Sequence, residues 1–156
     1  MNIVVLGGGD SPEREVSLRS SKAVSAAARE AGFSVQEFDP AGGLAFLDSI
    51  VEGTIIFPIL HGKGGEDGVI QAELESRALP YLGSDSSSSA RCIDKWLTRS
   101  DLQKNKIPLP RGSLVTKDDY SHNPMSLRPH VLKIVRDGSS IGTLIARDPA
   151  NVKPEA

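Results

Sequence analysis

The fold is set by residues 55–68, which read IIFPILHGKGGEDG. An apolar run leads into four glycines, and a helical pattern begins near Val69. A strand, a glycine-rich turn and a helix in this order predict an α/β fold, in which ligands bind at the carboxyl ends of the strands. A solvated turn in which Asp67 caps the helix would explain that carboxylate. It does not explain why His61 and Glu66 crowd into the same turn, and we therefore favour a binding site.

The same alternation of strand and helix extends over the first half of the chain. The predicted elements are strands at 2–6, 33–39, 54–60 and 79–82 and helices at 10–31 and 69–78. Strands that alternate with helices predict a doubly wound parallel sheet, and this domain is complete near residue 84. Asp10 or Ser11 is the predicted cap of the first helix. Proline lacks the N–H that a ladder needs, so Pro58 predicts an edge strand or a bulge.

Beyond residue 84 the pattern is less regular. The serine-rich segment 85–89 predicts a loop and a helix cap, and a helix then runs from Ala90 until it stops before Ile107. Further predicted elements are a strand at 111–116, a loop that can include one turn of helix at 117–128, a strand at 130–135 and a glycine-serine turn at 136–142. Lys133 is flanked by apolar residues in its predicted strand. A charge there needs a partner, which favours a functional role.

Composition excludes several classes of partner. The chain has 156 residues, a formal net charge of −2 and 24% charged residues, values typical of a globular protein. Neither nucleic acid nor an anionic membrane is an expected partner. Residues 1–9 lack the basic region of a signal peptide and are too short for a membrane span. Cys92 is the single cysteine, which fits a reducing compartment, so we expect a cytoplasmic protein.

Five blocks of residues resemble bacterial D-alanine–D-alanine ligases in order and spacing. They are GGDSPEREVSL at 8–18, HGKGGEDG at 61–68 with Gln71, Leu74 and Glu75, PYLGS at 80–84, Asp94-Lys95, and GSSIG at 138–142. The resemblance covers residues 1 to about 142, but only the first half of the usual length of that family. It implies a Rossmann-like pre-ATP-grasp substrate domain at 1–84 and the first part of an α+β ATP-grasp small lobe at 85–156.

This resemblance implies the ATP-dependent joining of two D-alanines for peptidoglycan precursor synthesis. The first carboxylate becomes an acyl phosphate, which the amine of the second D-alanine attacks. Glu13 resembles the glutamate that holds the ammonium of the first D-alanine. His61 resembles a histidine near the substrate and the transferred phosphate, and its role as base, donor or positioning group stays open.

The same resemblance assigns roles in the second half of the chain. Ser139 matches a serine that helps to orient the active-site loop together with Glu13, and Ser140 suits phosphate oxygens. Lys95 and Lys133 match two lysines that bind the phosphates of ATP. Taken without the resemblance, Lys95 would be a solvated lysine, the two serines would be turn residues, and Glu13 would be an acid at a helix start.

Two departures from the family matter. Ile134 follows Lys133 where the family commonly has proline. The second half of the family carries the adenine-binding segment and the ligands of two Mg²⁺ (or Mn²⁺) ions, so no metal ligand is predicted in this chain and we expect these 156 residues alone to be inactive.

Several alternatives stay open. The chain could be a non-catalytic binding or regulatory partner, half of a split enzyme, or part of a D-alanine–D-lactate ligase. A homodimer is an expectation from the family. A nicotinamide-binding oxidoreductase is disfavoured because Pro12 replaces the third glycine of G-x-G-x-x-G.

Overall fold

The computed structural model describes residues 1–148, which divide between two compact units. The first unit spans Met1–Ile93, and the second begins at Asp94. The assignment of residues 1–84 to a substrate domain and of 85–156 to part of an ATP-grasp lobe stays a prediction.

The first unit is built on a parallel sheet of three strands. These are β1 (Asn2–Leu6), β2 (Ser34–Phe38) and β3 (Thr54–Pro58), in the order β2-β1-β3. The register places Leu6 opposite Phe38 on one side and opposite Pro58 on the other, so all three strands end at the same level. The predicted α/β class with a parallel sheet is confirmed.

Apolar side chains of β1 alternate between the two faces of the sheet. Ile3 and Val5 pack with Ala28 of α1 (Arg14–Glu30). Val4 and Leu6 pack on the opposite face in the cluster that contains Ile56, Leu47, Ile70 and Leu74, the last two on α2 (Val69–Ser76). A strand covered on both faces by helices explains the nearly uninterrupted apolar run of β1.

The ends of several first-unit elements differ from the prediction. The first helix begins at Arg14 with Glu13 at its cap position, and neither Asp10 nor Ser11 occupies that position. The predicted strand 79–82 is reduced to one parallel bridge between Ile56 and Tyr81. Helix α3 (Ser86–Ile93) closes the unit, with the side chain of Asp85 accepting from the backbone N–H of Ser88.

The second unit contains helices α4 (Lys95–Lys104) and α5 (Lys117–Tyr120) and an antiparallel pair, β4 (His130–Leu132) and β5 (Leu144–Ala146). The single helix predicted from Ala90 is wrong, because Asp94 has an extended backbone and caps a new helix. The predicted strand 111–116 is not formed. Strand β4 ends three residues before the predicted limit.

None of the helices in residues 1–148 combines the length and the apolar character needed to cross a bilayer.

Candidate functional site

The carboxyl ends of β1 and β3 open onto a cleft of about 340 Å³ in the first unit. Its walls come from the turn after β1, the loop after β2 and the turn after β3, and they include Gly8, Gly9, Pro40, Leu44, Leu60 and His61. This is the edge of a parallel sheet at which α/β proteins bind ligands. The glycine-rich turn after β3 forms part of the wall of this cleft.

The turn after β3 is held by its own carboxylates. The backbone N–H of Gly62 donates to Oε2 of Glu66 at 2.9 Å, and that of Gly64 donates to Oδ2 of Asp67 at 2.9 Å. The second oxygen of Asp67 accepts from the backbone N–H of Val69 at 3.2 Å. Glu66 and Asp67 therefore fix the turn, which accounts for both residues without a ligand.

One ring nitrogen of His61 makes no hydrogen bond within the turn. Its Nδ1 lies 3.6 Å from Oε1 of Glu66. Its Nε2 is buried and has no hydrogen-bond partner among residues 1–148. A buried polar atom without a partner is costly, which marks His61 as a candidate functional residue.

Glu13 lies against the same turn. A Cβ atom built on Gly62 would stand 2.7 Å from Oε2 of Glu13, so a side chain at this position would displace the carboxylate from where it lies. The hydroxyl of Ser11 links the two segments, because it donates to the carbonyl of His61 at 2.7 Å and accepts from the backbone N–H of Glu13 at 3.1 Å. The structure thus brings together the two predicted site residues of the first unit, Glu13 and His61.

The turn after β1 is held by residues that the sequence prediction missed. The buried hydroxyl of Ser17 accepts from the backbone N–H of Gly8 at 2.9 Å and donates to the carbonyl of Ile59. The backbone N–H of Gly9 donates to Oδ1 of Asp39 at 2.9 Å. One available signal was the position of Asp39, which directly follows a strand at the ligand-binding edge of the sheet.

Arg14 completes this arrangement. Its Nη2 lies 2.6 Å from Oδ2 of Asp39, and its Nη1 donates to the carbonyl of Gly9 at 2.9 Å. The hydrogen bond from Arg14 lowers the pKa of the Asp39 carboxyl from 3.8 to about 2, and the backbone N–H groups of Gly9 and Ala41 lower it further against the opposing effect of burial. Asp39 is therefore ionised at neutral pH.

Lys95 and the glycine-serine turn meet in the second unit. The Lys95 ammonium donates to the carbonyl of Asp137, and the Lys95 backbone N–H donates to the carbonyl of Val135 at 3.0 Å. Ser139 and Ser140 have positive φ values of 48° and 61°. Consecutive left-handed residues are uncommon outside glycine and indicate a tightly shaped turn.

Lys133 does not have the environment that the sequence predicted. It lies just beyond β4 and its side chain is exposed, and so are its neighbours Val131 and Ile134, at 50% and 48%. The inference from burial is wrong because the two-stranded sheet leaves these apolar side chains in solvent. The proposed role of Lys133 now depends on the resemblance alone.

The second unit offers donors of the kind that phosphate groups need. Lysine ammonium groups, serine hydroxyls and backbone N–H groups of a turn all suit phosphate oxygens.

Within residues 1–148 no group of three or more His, Cys, Asp or Glu side chains is arranged to hold a metal ion.

Comparisons with curated proteins and with solved structures both found relatives of this chain. No family model matches the chain. A D-alanine–D-alanine ligase of Zymomonas mobilis is 41% identical over 151 residues, which are 96% of this chain and 47% of that protein. A second, from Erythrobacter litoralis, is 39% identical over 152 residues, with 97% and 47% covered.

Solved structures give the same result. The crystal structure of a D-alanine–D-alanine ligase from Bacillus anthracis matches with a TM-score of 0.76 and 28% identity, over 95% of this chain and 50% of that one. The chain spans about half the length of the curated relatives it matches. Over nearly its whole length the chain is homologous to the N-terminal half of D-alanine–D-alanine ligases.

Proposed function

We propose that this chain is the part of an ATP-dependent D-alanine–D-alanine ligase that binds the first D-alanine and contacts the phosphates of ATP. The observation that supports this best is the contact of the Glu13 carboxylate with the turn that carries His61, at the ligand-binding edge of a parallel sheet. A carboxylate at such an edge suits the ammonium of an amino acid, since charge-assisted hydrogen bonds are among the strongest available.

In the reaction that the family implies, bound ATP supplies a phosphoryl group to the carboxylate of the first D-alanine. The amine of the second D-alanine then attacks the carbonyl carbon, a peptide bond forms and phosphate leaves. In this proposal Glu13 orients the first D-alanine through its ammonium. Nε2 of His61 contacts the substrate or the transferred phosphate.

The second unit contributes to phosphate binding in the same proposal. Lys95 and Lys133 offset negative charge as phosphoryl transfer proceeds. Ser139 and Ser140 shape the glycine-serine turn, and its N–H groups and the Ser140 hydroxyl donate to phosphate oxygens. The Mg²⁺ (or Mn²⁺) ligands come from the part of the family that this chain does not match, so the 156 residues by themselves bind D-alanine without completing the ligation.

The direct test is D-alanine binding to the 156-residue chain, measured by calorimetry, with L-alanine as a comparison ligand. We expect Glu13→Gln to weaken binding about tenfold or more, because it removes the charge that pairs with the ammonium. Glu15→Gln is the matched control, since Glu15 is an exposed acid in the first turn of the same helix. Equal losses for both variants, or no binding of D-alanine by the unmodified chain, would contradict the proposal.

A second experiment separates the alternatives. D-alanine-dependent phosphate release from ATP and Mg²⁺ is measured for the chain alone and with a polypeptide that corresponds to the second half of a relative. Turnover only in the mixture supports complementing halves. Binding without turnover in either case supports a non-catalytic or regulatory partner. Replacement of the second substrate by D-lactate tests the D-alanine–D-lactate alternative.

A further inference from the structure

Both polar groups of the Gly9 backbone are held by one ion pair. The N–H of Gly9 donates to Asp39, and the carbonyl of Gly9 accepts from Arg14, each at 2.9 Å. The two side chains in turn contact each other at 2.6 Å. Gly9, Arg14 and Asp39 therefore form a closed ring of three contacts at the rim of the cleft.

The turn between β1 and α1 needs such support because its conformation is not favoured locally. Gly8 and Gly9 have φ values of +96° and +77°. Glycine reaches this region easily but also leaves it easily, since it has more backbone freedom than any other residue. A Cβ atom on Gly8 would lie 2.5 Å from the carboxylate of Asp39, so the close approach of that carboxylate depends on glycine.

The register of β1 and β2 places Asp39 beside this turn. Leu6 pairs with Phe38, and the backbone N–H of Gly7 donates to the carbonyl of Phe38 at 3.0 Å. The residue after Phe38 must then lie beside the residues after Gly7. Asp39 occupies that position and holds the turn from the side of β2.

Arg14 connects the ring to the candidate site, because it is the first residue of α1 and directly follows Glu13. Its guanidinium points back to Gly9, so the start of the helix is attached to the turn that precedes it. Any movement of Arg14 moves the backbone from which the Glu13 side chain extends. The ring thus controls where the Glu13 carboxylate stands relative to Gly62.

We propose that Arg14 and Asp39 are positioning residues for the D-alanine site: by holding both polar groups of the Gly9 backbone they fix the start of α1 and the location of the Glu13 carboxylate. This inference rests on the proposed function, in which Glu13 receives the ammonium of the substrate. Neither side chain touches the substrate in this scheme.

The chain provides a matched control on the same two elements. Arg29 and Glu37 also join α1 to β2, with Nη2 and Oε1 2.7 Å apart, but they lie far along the helix from Glu13. Loss of either ion pair removes one contact between α1 and β2 or the residue that follows β2. Only the Arg14–Asp39 pair also holds the Gly9 backbone in the turn after β1.

The test measures D-alanine affinity of the 156-residue chain at a temperature at which every variant is folded, as checked by its unfolding transition. We expect Asp39→Asn and Arg14→Gln each to weaken D-alanine binding about tenfold, since small displacements of a positioned group have effects of this size or larger. Arg29→Gln and Glu37→Gln should leave affinity within about twofold. The double variant Arg14→Gln/Asp39→Asn should have the same D-alanine affinity as the single variant that binds D-alanine less tightly. This non-additivity is expected when two residues contribute through one shared interaction.

Arg14→Lys provides a second variant that retains the charge but lacks the planar fork that reaches Gly9 and Asp39 together. We expect it to weaken binding as Arg14→Gln does and to speed hydrogen exchange of the Gly9 amide. The inference is overturned if the unmodified chain binds D-alanine and Glu13→Gln abolishes binding, while Asp39→Asn and Arg14→Gln bind like the control variants. Failure of the unmodified chain to bind D-alanine would instead overturn the proposed function.

Discussion

The ammonium group of Lys95 donates a hydrogen bond to the backbone carbonyl of Asp137, which lies in the glycine-serine turn at 136–142. Helix α4 is therefore attached at its first residue to this turn. The contact explains why two predicted blocks, Asp94-Lys95 and residues 138–142, belong to one local structure in the second unit.

Replacement of Lys95 should loosen that turn. We expect Lys95→Met to speed amide hydrogen exchange in residues 138–142 about fivefold, which corresponds to the loss of roughly 1 kcal/mol from an exposed hydrogen bond. Lys104→Met is the control, because Lys104 lies at the other end of the same helix with a side chain that is 71% exposed. Equal exchange rates in the two variants would show that the Lys95 contact does not order the turn.

Asp94 separates α3 from α4, and its removal should destabilise the second helix. Its Oδ1 accepts from the backbone N–H groups of Trp96 and Leu97 at 3.0 and 2.9 Å. We expect Asp94→Ala to lower the free energy of unfolding by about 1 kcal/mol, the usual effect of losing an N-cap side chain. Denaturant titration followed by Trp96 fluorescence measures this loss.

Asp94→Asn distinguishes the cap from the nearby ion pair. Asparagine retains an acceptor for the helix N–H groups but no longer attracts Arg136, whose Nε lies 3.8 Å from Oδ2. Since an exposed ion pair contributes little, Asp94→Asn should cost only a few tenths of a kcal/mol. A loss as large as that of Asp94→Ala would mean that the charge, and not the cap, stabilises this helix.

The first unit was predictable because its signals are local and agree with one another. Buried β1 and β3 appear as apolar runs, and glycines mark the turns at which they end. Glu13 was predicted from the family blocks, and His61 was predicted from the glycine-rich turn as well. The register of the parallel strands brings their two segments together. Here local pattern and tertiary structure point to the same elements.

The remaining features depend on contacts between distant residues. The ring of Gly9, Arg14 and Asp39 requires the register of β1 and β2, which no local pattern contains. The predicted strand at 111–116 lacked a partner, and β propensity has little effect without one. Helical spacing on both sides of Asp94 concealed the break there, which the structure shows by the extended backbone of Asp94 and by its side-chain cap on Trp96 and Leu97.

The glycine-serine turn should not accept a side chain at Gly142. This residue has a φ of +63°, and a Cβ atom built on it would stand 2.3 Å from Cδ1 of Ile134. We expect Gly142→Ala to destabilise the second unit by about 1–3 kcal/mol. Left-handed backbone strain sets the lower value, and the collision adds to it only as far as the exposed Ile134 side chain does not move aside. Thermal unfolding measures the loss.

Two variants separate strain from collision at this position. Gly32→Ala reports backbone strain alone, since Gly32 has a φ of +87° with nothing within 4 Å of the added Cβ, and it should cost about 1 kcal/mol. The Ile134→Ala change removes the colliding atoms, so Gly142→Ala should cost less in that background. If Gly142→Ala costs the same unfolding free energy with and without Ile134→Ala, the Ile134 side chain moves aside and relieves the collision.

Acid should weaken the first unit through Asp39. The pKa of its carboxyl is about 2 in the folded chain, against 3.8 as the ordinary value, chiefly because of the hydrogen bond from Arg14. A carboxyl whose pKa is lowered by folding stabilises the folded state above its ordinary pKa, and this contribution is lost as pH falls toward the folded value. The free energy of unfolding should therefore decline between about pH 4 and pH 2 in part because of this residue.

Urea titrations at intervals from pH 5 to pH 2 measure that decline. Asp39→Asn should unfold more easily than the unmodified chain at pH 5, and the difference should shrink toward pH 2 as the unmodified chain loses the ionised carboxylate in its unfolded state. Glu37→Gln is the control, because it removes the carboxylate of the other ion pair between α1 and β2. The difference in unfolding free energy between Asp39→Asn and the unmodified chain could instead stay constant from pH 5 to pH 2. That result would show that Arg14 does not hold Asp39 through its charge, because the substitution would then cost the same free energy at every pH.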